Sequence, residues 1–179
     1  MIRLFAAIEL PHEIGEALVR RQQGIPKARW RTPEQMHITL RFFGEVAEST
    51  AADIDGELRG VSGSPMDLSL QGVGSFGEGR QLRALWAGVS ENPALRQLAS
   101  RCEGAARRAG LKPEAKTYRP HVTLAYLKRA DPGRVGAWIQ GHNLLRSPSF
   151  RADWFGLYSS WSSPDGNRYD LEREYPLVA

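Results

Sequence analysis

The segment His37-Ile38-Thr39-Leu40 occurs a second time, with one aliphatic exchange, as His121-Val122-Thr123-Leu124. Side chains alternate faces along an extended strand, so His37 and Thr39 share one face while Ile38 and Leu40 share the other. His121 and Thr123 stand in the same relation to Val122 and Leu124. Each segment therefore needs a core beneath its aliphatic residues and leaves an imidazole beside a hydroxyl above it. Arg41 is expected to continue that polar face of the first strand. With only 4 histidines in the chain, two such pairs would arise by chance about half a percent of the time.

The rest of the chain supplies a mixed framework. Arg3–Glu9 has the apolar density of a buried strand, and His12–Gln23 reads as a helix behind Pro11. Short strands are expected at Arg29–Arg31 and Met36–Gly44, then a helix at Glu48–Arg59. The breaker cluster Gly60–Pro65 marks a crossing loop. A second cycle follows: a strand at Met66–Val73, a flexible loop marked by Gly72, Gly74, Gly77 and Gly79, and a strand at Arg83–Val89. Asn92, Pro93 and Gly110 bracket a helix over Pro93–Arg108, within which Cys102 reads as a small core residue. Strands at Pro120–Leu127, Phe150–Ser160 and Tyr169–Tyr175, a helix at Pro132–Gln140 and a turn at Ser163–Asn167 complete the α+β pattern. In each half a helix and an irregular stretch precede a strand that opens on histidine.

Composition narrows the function classes. At 179 residues the chain fits one domain or two small lobes sharing a core. No apolar run is long enough to cross a bilayer, and Met1–Glu9 reads as a strand rather than a signal peptide, so the cytoplasm is the default compartment. One cysteine makes no internal disulfide. Nearly all of the 24 cationic residues are arginine, whose planar fork suits phosphate oxygens.

Phosphodiester hydrolysis wants what the duplicated segments offer. A base takes a proton from water, an acid protonates the departing oxygen, and an imidazole pKa near 6.5 allows either state. Two hydroxyls can donate to the non-bridging oxygens as charge gathers there. No HExxH, CxxC or carboxylate–histidine cluster suggests a metal or other cofactor.

These paired HxTx segments resemble those of the 2H phosphoesterases, and more narrowly the RNA 2′,3′-cyclic phosphodiesterases, also called 2′-5′ RNA ligases. The likeness spans nearly the whole chain. It includes Arg3–Ile8 with Leu10-Pro11, Trp30 with Pro33-Glu34, Phe43–Val46, Gly72–Phe76, Leu85–Val89, Pro120–Ala125 and Leu157–Ser160. It implies one bilobal, duplicated α+β domain over 1–179, two intertwined antiparallel-sheet lobes with helices outside, facing each other across a central cleft. It implies His37 as the proton donor, His121 as the proton acceptor, and Thr39 and Thr123 as phosphate ligands. The substrate implied is RNA ending in a 2′,3′-cyclic phosphate, tRNA fragments included, opened to a 2′-phosphate, with reversible ligation as the back reaction. The near-symmetry of the two motifs leaves the direction of proton flow open on the residues alone.

One departure concerns Tyr126, where the family commonly carries arginine. Strict alternation puts position 126 on the face opposite His121. Arg41, Lys116, Arg119, Lys128 and Arg129 are the candidates for supplying charge instead. Phe76 in the glycine-rich stretch is the best candidate for stacking on a base, Tyr118 is a further substrate-binding candidate, and Phe42 and Trp86 read as core. His12 and His142 read as surface residues. A monomer is expected. The competing readings are a non-catalytic RNA- or nucleotide-binding module with the same cleft, and cleavage of another phosphodiester, such as a 2′-5′-linked oligoadenylate.

Overall fold

A computed structural model describes residues 1–179. The apolar opening run forms β1 (Ile2–Glu9), and five consecutive buried residues, Leu4 to Ile8, show that both its faces are covered. It pairs antiparallel with β3 (His37–Val46) on one side and with β9 (Trp154–Ser163) on the other, and β9 continues through the Pro164-Asp165 turn into β10 (Gly166–Pro176). A second antiparallel set comprises β5 (Leu70–Phe76), β6 (Ala84–Val89) and β7 (His121–Tyr126), with the short β2 (Arg29–Trp30) also on β7. The two sets are the sheets of two lobes, as expected. They are continuous through one registered pair, Ile38 opposite Val122.

Helices α2 (Glu48–Arg59) and α3 (Pro93–Arg108) cover the first lobe's sheet, although α3 lies between two strands of the second. Helices α1 (His12–Val19) and α4 (Pro132–His142) pack on the other side, where the Trp138 indole N–H donates to the Arg21 carbonyl at 2.9 Å. This exchange of helices interlocks the lobes, and one apolar cluster of 40 buried residues runs through both. In α3 the Asn92 side chain accepts from the Leu95 N–H at 3.0 Å, Pro93 opens the helix, and Gly110 follows it at φ +91°. Its buried stripe contains Cys102, whose thiol burial pushes up to about 12, an unreactive core residue.

Four sequence expectations need correction. The strands expected at Met66–Val73 and Phe150–Ser160 each break at one residue, Ser69 and Asp153. The leading pieces, β4 (Met66–Leu68) and β8 (Phe150–Ala152), pair with each other in a separate small sheet, because the chain changes sheets at those residues. The glycine stretch is not a loop as far as Phe76: it is strand β5, with Gly74 opposite Trp86. Glycine is required there by contact, since a Cβ on Gly74 would lie 2.3 Å from the Trp86 ring. Helix α1 ends at Val19, short of the expected Gln23.

Candidate active site

The single bridge between the lobes places the middle residue of one HxTx segment against the middle residue of the other. Carried one residue each way, this antiparallel register sets His37 opposite Thr123 and Thr39 opposite His121. Ile38, Leu40, Val122 and Leu124 are buried below, as the alternation requires. The two imidazoles and two hydroxyls together line a cavity of about 280 Å³. The same wall carries Phe42 and Tyr126, contrary to the expectation for both.

The reason is a β-bulge repeated in each strand. Thr39 pairs with Ala7 but Arg41 with Ala6, so Leu40 is an extra residue. Thr123 pairs with Trp86 but Ala125 with Leu85, so Leu124 is its counterpart. A bulge resets the alternation, turning residue 41 or 125 inward and residue 42 or 126 to the cleft. Phe42 and Tyr126 are each 41% exposed, which removes Phe42 from the core. Arg41 leaves the polar face and is buried. Its guanidinium bonds to the Glu103 carboxylate and to the Phe42 carbonyl, and donates to the Lys112 carbonyl at 2.9 Å. Its charge is thus consumed in tying β3 to α3.

Each imidazole is oriented by the carbonyl two residues before it. His121 Nδ1–H donates to the Arg119 carbonyl at 2.6 Å, which leaves Nε2 as the free nitrogen when the ring is neutral. His37 receives the same support from the Gln35 backbone. The surroundings differ. His37 stacks on Phe5 at 4.7 Å and meets Tyr169 edge-on at 5.3 Å. Burial lowers its pKa to about 4, assisted by the nearby Arg31 guanidinium and by His121. His121 meets Phe76 edge-on at 4.9 Å, and burial lowers its pKa as well. Both rings are therefore neutral near pH 7 in the open cleft.

The remaining candidates fall around this pair. Phe76 braces His121 and carries the Arg83 guanidinium 5.5 Å from its ring centre. The Tyr118 hydroxyl donates to the Thr39 carbonyl at 2.8 Å, and burial holds its phenol proton firmly. Arg119 supplies its carbonyl to His121, while its side chain faces an adjoining groove of about 720 Å³ that shares Thr39, Phe42 and His121 with the cavity. Lys116 and Arg83 also line that groove. Lys128 and Arg129 line neither cavity. His12 pairs with Glu16 and His142 with Arg21, both away from the cleft. No three His, Cys, Asp or Glu side chains converge as a metal site would require.

Across residues 10–160 the chain matches the family model described as the 2′-5′ RNA ligase superfamily. The chain belongs to that superfamily. It is a hydrolase of the 2H phosphoesterase kind. It is 32% identical over 134 residues to the RNA 2′,3′-cyclic phosphodiesterase of Archaeoglobus fulgidus, a match covering 73% of this chain and 76% of that one. Its identity to the Thermotoga maritima protein of the same name is 30% over 179 residues, covering 95% and 92%. The crystal structure of E. coli LigT complexed with 3′-AMP superposes with a TM-score of 0.81 at 26% identity, covering 99% of both chains.

In this superfamily member, sequence reasoning missed one wall of the cavity. Arg3, Phe5, Arg31, Asn167 and Tyr169 all line it. Phe5 and Tyr169 were legible only as strand residues, and the pairing of β9 with β1 on one side and β10 on the other brings them to His37. Arg3 and Arg31 lie over the two bulge aromatics, 5.1 Å from the Phe42 ring centre and 5.0 Å from that of Tyr126. A lone arginine beside Trp30 or in an apolar first strand gives no signal of such a place.

Proposed function

We propose that this chain opens a 2′,3′-cyclic phosphate at the end of an RNA, leaving a 2′-phosphate and a free 3′-hydroxyl. The observation carrying this reading is the crossed square of His37, Thr123, His121 and Thr39 at the junction of the lobes. His121 Nε2 takes a proton from the attacking water, whose oxygen bonds to phosphorus. The bond from phosphorus to the 3′ oxygen breaks, and His37 gives that oxygen its proton. Thr39 and Thr123 donate to the non-bridging oxygens from opposite strands as their charge grows. Because both rings are neutral in the open cleft, the acid is loaded as the anionic phosphate enters, since a nearby negative charge favours imidazolium. Attack by a 5′-hydroxyl instead of water gives a 2′-5′ bond, and in water hydrolysis prevails.

The substrate class draws support from the curated relatives, which are named RNA 2′,3′-cyclic phosphodiesterases, and from LigT crystal structures complexed with 3′-AMP and with phosphate. The basic groove beside the cavity is the natural path for the rest of the RNA strand. A binding module has no use for two imidazoles each oriented by a carbonyl. The test is to incubate the protein with an oligoribonucleotide ending in a 2′,3′-cyclic phosphate, with and without EDTA, and identify the monoester formed. A 2′-phosphate formed equally well in EDTA is expected. A 3′-phosphate, no turnover, or loss in EDTA with rescue by metal would overturn this reaction.

A further inference from the structure

Two arginines of this chain are buried, and they are partnered differently. Arg41 is neutralised by Glu103. Arg31, only 5% exposed, has no carboxylate partner. Its guanidinium donates to the Tyr169 hydroxyl at 2.5 Å and lies over the rings of Tyr126 at 5.0 Å and Tyr169 at 5.6 Å. These contacts hold and aim the fork without cancelling its charge, because burial raises the Tyr169 pKa and keeps that phenol neutral. The cavity it lines also contains Arg3, both histidines and both threonines, and not one carboxylate. A buried, uncompensated cation is costly to keep, and a fold that keeps one beside a pair of acid–base groups leaves the counter-charge to a ligand.

We propose that Arg31 is the cation that receives the substrate's phosphate, aimed by Tyr126 and Tyr169 so that the phosphoanion completes its charge. This rests on the reading that the cavity takes a cyclic phosphodiester. Tyr126 is thereby explained: it is the platform under a charge delivered by the residue just after β2, the neighbouring strand, rather than the carrier of that charge. Arg31 also repels a proton on His37 in the open cleft, so a phosphate seated on Arg31 relieves that repulsion as it arrives. Binding and loading of the acid are then one event.

The experiment compares the full-length wild type with Arg31→Met and Arg31→Lys, measuring turnover of 2′,3′-cyclic-phosphate RNA against pH and the rise in Tm given by inorganic phosphate. Arg31→Met should lower kcat/KM by about 10²-fold. It should also abolish the phosphate-induced rise, leave the Tm without phosphate at or above that of the wild type, and move the kcat/KM optimum to higher pH. Tyr126→Arg added to Arg31→Met should recover part of the activity by returning a charge to the same spot. Wild-type kcat/KM, or an undiminished phosphate response, in Arg31→Met overturns the proposal. Should Arg31→Met not fold, Arg31→Lys decides: activity and phosphate response falling together support it, and both unchanged overturn it. If the wild type leaves the cyclic phosphate intact while Arg31→Met still loses its phosphate response, the reaction is wrong and the role of Arg31 stands. Full turnover by both proteins means the opposite: the reaction stands and the role of Arg31 falls.

Discussion

The two halves of the site repeat the same His-x-Thr-Leu strand opening, down to its bulge, and surround it differently. His37 is enclosed by Phe5 and Tyr169, with Arg31 close by. His121 is braced by the edge of Phe76 and also borders the wide groove. Strand periodicity duplicates the reactive groups, because it depends only on neighbours along the chain. Their inequality comes from β10 and β2, which have no counterparts in the other half. Such an inequality is what acid–base catalysis needs, since two identical imidazoles would have no preferred direction of proton flow.

The severest way to break the comparison is to remove either ring. His37→Ala and His121→Ala should each lower kcat/KM by up to about 10⁴-fold while circular dichroism shows an intact fold. A substrate with sulfur at the 3′ bridging position, whose leaving group needs no proton, should restore turnover to His37→Ala and not to His121→Ala. Equal recovery in both would erase the distinction between donor and acceptor. Thr39→Val and Thr123→Val should each cost about 10²-fold, and by similar factors, because the crossed register makes them equivalent about the phosphate. A tenfold disparity between them would show that the phosphate sits off the centre of the square.

The pH profile sharpens the comparison without mutation. In the proposed reaction the reactive form holds one proton on the pair, and in the free protein burial lowers the His37 pKa to about 4 and that of His121 below its ordinary value. The profile of kcat/KM reports the free protein, so it should peak on the acid side of 6.5 and fall about tenfold per pH unit well above that. The optimum of kcat should lie higher, because the bound anion favours the protonated ring. A kcat/KM maximum at alkaline pH would break this account. The smallest effect belongs to Phe76→Leu, about threefold in kcat/KM from loss of its edge contact with His121. A base-stacking role would make the loss larger for an oligonucleotide than for a mononucleoside 2′,3′-cyclic phosphate.

Much of this was legible in the chain itself. The helices over Glu48–Arg59 and Pro93–Arg108 followed from stripe and cap, and the Pro164-Asp165 turn from its residue types. The bulges were not, because Arg41 and Tyr126 fit an unbroken alternation as well as their neighbours do. Nor was strand β5, since the glycines that suggest a loop are also what Trp86 needs for close approach.

By itself the sequence determined the four groups that can do chemistry and the face of each strand they occupy, since a period of two is local geometry. Only the tertiary structure decided that the motifs cross, His opposite Thr, because one bridge between two lobes sets that register. It also decided that Arg41 is a tie within the protein while Arg31, just past the end of β2, reaches the cavity as a bare charge. Which arginine keeps its charge free depends on which carboxylates lie within reach, and that is a property of packing between segments far apart in the chain.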